Sequence, residues 1–356
     1  MSSLIATGLQ PFVANGSLAG AVTLVATAVR VLDVTAVGFA DIGAGKPMQP
    51  DSLFWIASMT KPMTAAALLM LVDEGRVNVA DPVAKYLPEF KGQMVVVEKD
   101  DAHVLLRPPV HPITVHNILT HTSGLPFSSP VEQPTLDLLS LAVRSACYAQ
   151  LPLQFEPDTK YLYSNVGTNL CGRIIEVVSG QAYADFLATR LLQPLGMENT
   201  TFWPNPAQLA RLAKTYKADA AKTGLVESPI AQLSQPYSDR RREALPAGGL
   251  FSTAQDCARF CQMVLNRGVF GGRRYLSEAA VAAMTRKQTA PGVAEAYGYG
   301  WQAGDEWGGH GGALATNMAI SWKNGLIAIY LVQHFDFPNG GNRAIEVVRN
   351  TAPLLQ

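Results

Sequence analysis

The sequence predicts an α/β (α+β) fold: an antiparallel sheet built from both chain ends, flanked by helices, with a mainly helical region inserted between them. Three observations predict it. Apolar, β-branched runs at residues 21–26 and 31–39 read as strands near the N-terminus. Two more, at 316–322 and 326–332, flank Lys323-Asn324-Gly325, and Asn-Gly between apolar runs is a strong hairpin signal. The long stretch 81–248 is proline-rich and carries short helical patterns separated by loops. The expected organisation is a sheet domain from residues 1–75 and 255–356, a helical insertion over 76–254, and a site between them.

In chain order, a short helix precedes the first strand. A longer one begins near Ser58 to Thr60, because Pro62 fits a helix only in its first turn and residues 65–72 are apolar throughout. Leu170, Ile174, Val177 and Val178 mark a helix stopped by Gly180. Residues 254–265 form another, with Cys257 and Cys261 facing the core.

Composition narrows the function. The chain has 356 residues, 48% hydrophobic and 16% charged, enough for a large core. With zero formal net charge, nothing favours nucleic acid or an anionic membrane surface as a partner. No apolar run is long enough to span a bilayer. No basic residue precedes Arg30, so the N-terminus lacks a secretory n-region, and a cytoplasmic location is expected. Four cysteines in a chain this long are not a disulfide framework. His103, His111, His116 and His121 lack metal-ligand spacing, and Gly45-Lys46 lacks the rest of a phosphate loop. No metal and no cofactor is expected.

The motif with the clearest chemistry is Ser58-Met59-Thr60-Lys61. Residues three apart on a helix share a face, so a hydroxyl and an amine sit side by side, as an activated nucleophile requires. At the helix start the dipole stabilises negative charge on Ser58 and disfavours a charged Lys61. Tyr163-Ser164-Asn165 precedes a helix expected to begin near Gly167. Tyr163 reads as a phenolic acid or base, or as a half-buried aromatic. Asn165 reads as an orienting amide or a helix N-cap. His310-Gly311-Gly312 precedes the first strand of the C-terminal hairpin. It reads as a flexible loop, or as a place where a ligand meets the backbone, with the Ala313 and Ser58 N–H groups forming an oxyanion hole. Arg240-Arg241-Arg242 reads as a carboxylate site or a solvated loop.

Taken together and in this order, the three motifs resemble the serine β-lactamase and penicillin-binding-protein superfamily. The likeness is to the branch of class C β-lactamases, family VIII carboxylesterases and D-amino-acid peptidases. Residues 51–90, 118–125 and 248–254 are further family-like blocks, so the resemblance covers nearly the whole chain. It implies a β-lactamase/transpeptidase-like fold, Ser58 as the acylated nucleophile, and Lys61 and Tyr163 sharing proton transfer. It also implies that Asn165 orients Lys61 or the substrate, and that His310 occupies the third-motif position. His121 and Ser123 are expected to be turn residues. One departure matters: His310 and Gly311 stand where the family commonly has lysine and threonine or serine, which weakens recognition of a β-lactam carboxylate.

The expected function is therefore hydrolysis of a small carboxylic ester through an acyl-enzyme. β-Lactam, amide or D-amino-acid peptide hydrolysis and acyl transfer are the alternatives within this chemistry. A binding protein on a degraded hydrolase fold is disfavoured by the intact Ser58, Lys61 and Tyr163. The partner implied is a small ester or amide; oligomeric state is left open.

Overall fold

The computed structural model describes residues 3–356. Its core is a six-stranded sheet in the order Gly308–Gly311, Asn317–Ser321, Leu326–Leu331, Gly20–Thr27, Val31–Asp41, Lys46–Pro47. Each named neighbour pair is antiparallel. The two chain ends meet at the centre, where Val22 pairs with Leu331 and Thr27 with Leu326. The Asn-Gly turn joins Ser321 to Leu326, with Gly325 at φ +61°.

The strand Gly20–Thr27 is buried almost throughout, because both of its faces are covered. Val22, Leu24 and Ala26 belong to the core that contains the helix Thr60–Asp73. Ala21 and Val25 point the other way, into a cluster with Ile5 and Leu9 of the helix Leu4–Ala14 and Ala344 and Val348 of the helix Ala344–Thr351. Strand periodicity thus sorts one apolar run into two cores.

The helix Thr60–Asp73 is buried from Thr60 to Leu71, as a helix apolar all round must be. The helix Ala254–Leu265 begins and ends where the sequence predicts, with Cys257 and Cys261 fully buried. Gly180 closes the helix Asn165–Ser179 in the left-handed conformation at φ +74°. The middle of the chain also holds two hairpins that the periodicity did not reveal, Val95–Lys99 with Val104–Arg107 and Tyr216–Ala218 with Leu225–Glu227. Their outer residues are largely exposed, so they lack the in–out alternation that marks a half-buried strand. No helix among the described residues is long and apolar enough to cross a membrane.

Candidate active site

The turn that carries Ser58 is held from three sides. Phe54–Trp55 pairs with Phe251–Ser252, Trp55 Nε1 donates to the Gly248 carbonyl at 2.7 Å, and Gln333 Nε2 donates to the Trp55 carbonyl at 3.0 Å. Ala57 follows with φ +45°, a conformation costly for a residue with a Cβ. The chain then makes the 3-10 turn Ala57–Met59 and enters the helix Thr60–Asp73. Thr60 pins this entry, its hydroxyl donating to Ala57 O at 2.7 Å and accepting from Leu250 N at 3.2 Å. Ser58 is left partly exposed at the positive end of the helix.

Lys61 lies one turn on and is fully buried. Its Nζ reaches Ala247 O at 2.6 Å, Asn165 Oδ1 at 2.7 Å and Ser58 Oγ at 3.2 Å. Burial drives its pKa well below the ordinary lysine range, and the charge of Glu132 opposes that shift. The carbonyl oxygens of Ala247 and Asn165 can only accept. A neutral amine gives its two protons to them and turns its lone pair to the Ser58 hydroxyl. That is the arrangement of a base poised on its nucleophile.

Tyr163 flanks the pair, with Lys61 Nζ 4.7 Å from its ring centroid. Burial raises its pKa far above the usual phenol range, while contact with the Ser58 hydroxyl pulls it down. Tyr163 is therefore a neutral phenol, a proton donor. Ser164, not Asn165, caps the following helix: its Oγ accepts from Gly167 N at 3.0 Å, so the helix starts at Asn165 and the amide side chain is free for Lys61.

His310 and Gly311 lie within a strand of their own, Gly308–Gly311, rather than in a loop. Glycine is a poor strand former, which hides this strand in the sequence. Glycine is nonetheless required here. A Cβ at Gly309 would sit 2.1 Å from Met318 O, and one at Gly312 would sit 2.1 Å from Thr316 Oγ1 and 2.5 Å from Ile56 O. Gly309 lets the edge strand close on its neighbour Asn317–Ser321, and Gly312 lets the chain close on the backbone just ahead of Ser58. Ala313 follows, exposed. His310 itself is 4% exposed. Burial first, with a charged Lys61 acting in the same sense, pushes its pKa down to about 3 against the opposing Gly311 hydrogen bond, so it is neutral.

The structure thus brings Ser58, Lys61, Tyr163, Asn165 and His310 together, with Gly311, Gly312 and Ala313 along one edge. Of the three arginines, Arg242 is buried on Asp137 at 2.7 Å, Arg241 pairs with Asp239 at the surface, and Arg240 stacks over Trp203. Arg242 is thus committed to a buried ion pair rather than to a solvated loop. His121 does take the turn position expected of it, at φ +60°. Its ring also accepts from Ser164 N at 3.1 Å and meets Tyr297 at 3.3 Å. Among the described residues no three His, Cys, Asp or Glu side chains group as a metal site.

Two features escaped the sequence. Tyr297 reaches His310 Nε2 at 3.1 Å; its signal is the alternation Tyr297-Gly298-Tyr299-Gly300, where Gly300 abuts Lys61 O. The other is a buried polar network behind Lys61. Asn169 Oδ1 accepts from Ala247 N at 3.1 Å, and its Nδ2 donates to Glu132 Oε1 at 3.3 Å. That carboxylate is ion-paired with Arg144 at 3.1 Å and accepts from Tyr148 at 2.5 Å.

Comparison with known proteins places the chain in a family. The chain matches the beta-lactamase family over residues 5–352. It is 32% identical to penicillin-binding protein 4 of Amycolatopsis lactamdurans, over 84% of this chain and 75% of that one. It is 31% identical to esterase EstB of Burkholderia gladioli, over 81% of this chain and 74% of that one. Among solved structures, EstCE1, a hydrolase with promiscuous acyltransferase activity, superposes with a TM-score of 0.80 at 21% identity, covering 98% and 97% of the two chains.

Proposed function

The chain belongs to the beta-lactamase family, and from that premise we propose that it hydrolyses small carboxylic esters through an acyl-enzyme on Ser58. The observation that carries this reading is the Lys61 amine, with two contacts to pure acceptors and the third to Ser58 Oγ. Lys61 takes the hydroxyl proton as Oγ attacks the ester carbonyl. The oxyanion is held by the N–H groups of Ser58 and Ala313. As the intermediate collapses and the C–O bond breaks, Tyr163 gives its proton to the departing alkoxide. The lysine ammonium returns a proton to the tyrosinate. Water then attacks the acyl carbonyl and gives a proton to the same pair; the C–Oγ bond breaks, the pair returns that proton to Oγ, and the carboxylic acid leaves with Ser58 restored.

An ester is favoured over a β-lactam because the third-motif position carries no fixed positive charge. His310 is neutral, and its Nδ1 is engaged with Gly311 O at 2.6 Å. An esterase among the relatives supports the same reading. The test is kcat/KM for nitrophenyl butyrate, a matching amide and a cephalosporin side by side, with intact-mass detection of the acyl group. Turnover of the ester with acylation confined to Ser58, abolished by Ser58→Ala, is expected. Preference for the cephalosporin would replace the esterase reading with a β-lactamase one.

A further inference from the structure

We infer that Tyr297 is a positioning residue: anchored by His121, it fills the lone pair of His310 that faces the site and so reserves the proton of Tyr163 for the leaving alcohol. The inference rests on the reading above for its functional half and on geometry alone for its structural half.

The proton arrangement follows from the two ends of a buried chain. At one end Ser164 N–H points at His121 Nδ1, 3.1 Å away. A backbone N–H only donates, so His121 Nδ1 is bare and its proton is on Nε2. At the other end His310 Nδ1 lies 2.6 Å from Gly311 O. A carbonyl only accepts, so His310 carries its proton on Nδ1 and its Nε2 is bare. The hydroxyl of Tyr297 stands between the protonated Nε2 of His121, 3.3 Å away, and the bare Nε2 of His310, 3.1 Å away. Only one direction satisfies all of them: His121 Nε2–H to Tyr297 O, then Tyr297 O–H to His310 Nε2. Burial disfavours the imidazolium form of both rings, which keeps the chain in this state.

The consequence falls on Tyr163. Its hydroxyl is 3.4 Å from the same His310 Nε2. That nitrogen has a single lone pair, and Tyr297 is the nearer donor. With the lone pair occupied, the Tyr163 proton is directed to Ser58 and to the oxygen that leaves. Without Tyr297, the lone pair would draw the Tyr163 proton away from the reaction.

Two measurements test this. In the full-length protein labelled with ¹⁵N-histidine, His310 is expected to show a protonated Nδ1 and a pyridine-like Nε2, and His121 the reverse. The same tautomer in both rings, or an imidazolium in either, overturns the inference, and this readout needs neither a variant nor a substrate. The second compares Tyr297→Phe with wild type on an ethyl and a nitrophenyl ester of one acid. Nitrophenolate leaves unprotonated, whereas ethoxide needs the proton. The variant should lose at least about tenfold more kcat on the ethyl ester, with KM little changed. An equal loss on both, or none, overturns the inference. A wild type inactive on every ester would instead refute the esterase reading and leave the tautomers to decide this one.

Discussion

The Nζ atom of Lys61 lies 2.6 Å from the carbonyl oxygen of Ala247, a residue 186 positions further along the chain. That contact aims the amine. With a second proton committed to Asn165, a neutral amine has only its lone pair left for Ser58.

Activity should therefore depend on neutral Lys61. Its pKa is displaced downward by burial, so kcat/KM should rise with pH along a limb lying well below the ordinary lysine value of 10.5. It should fall as pH drops through the displaced value, where the amine gains a proton and loses its lone pair. Lys61→Arg, charged at every pH, should lack the limb and lose several orders of magnitude in kcat. A pH profile unchanged in shape in the variant would refute the assignment.

Lys61 and Tyr163 should behave as one unit. Lys61→Ala and Tyr163→Phe should each slow acylation by about 10²–10⁴, the usual range for a positioned acid or base. The double variant should be little worse than the poorer single. Stopped-flow acylation rates around the cycle decide it, and full additivity would mean that the two residues act independently.

Glu132→Gln separates charge from packing. The carboxylate raises the Lys61 pKa, so its removal should move the acid limb of kcat/KM to lower pH. The same change leaves Arg144, 1% exposed, without its partner. Losing one member of a buried pair costs about 3–5 kcal/mol, so denaturant titration should show a large loss of stability. A limb that moves upward would contradict the proposed sign.

Gly312→Ala tests the closing of the edge strand. The added methyl would meet Thr316 Oγ1 and Ile56 O at 2.1 and 2.5 Å, forcing the strand away from the turn that carries Ser58. Far-ultraviolet circular dichroism should be unchanged while kcat falls by about 10², the scale of an ångström's misplacement. Unaltered kcat would show that the strand is not part of the catalytic geometry.

What could be read in the sequence was what is local. The helix Ala254–Leu265 and the Asn-Gly hairpin follow from periodicity and turn chemistry within a few residues. Ser58 and Lys61 are three apart, and Tyr163 and Asn165 two apart, so one turn of backbone fixes each pair. Ala247 could not be found this way, because it acts through its carbonyl, a group every residue has. Glu132 and Arg144 sit on different elements, and only the fold buries them together. The strand holding His310 was concealed because its glycines answer to neighbouring backbone, not to intrinsic propensity. His121 read as a turn residue because its left-handed backbone has a local signature, while its ring contacts do not.

The central pairing of Gly20–Thr27 with Leu326–Leu331 carries a consequence for biosynthesis. The first strand leaves the ribosome some 300 residues before its inner neighbour exists, and at about 5–20 residues per second that interval is on the order of 15–60 s. Through that time a strand apolar on both faces has Val31–Asp41 on one side and an unpaired edge on the other. The edge strand that bears His310 joins through Asn317–Ser321, which itself pairs with Leu326–Leu331. The strand that brings His310 beside Ser58 is thus held in place by the last strand of the sheet, and the candidate site is completed only after that strand has been translated.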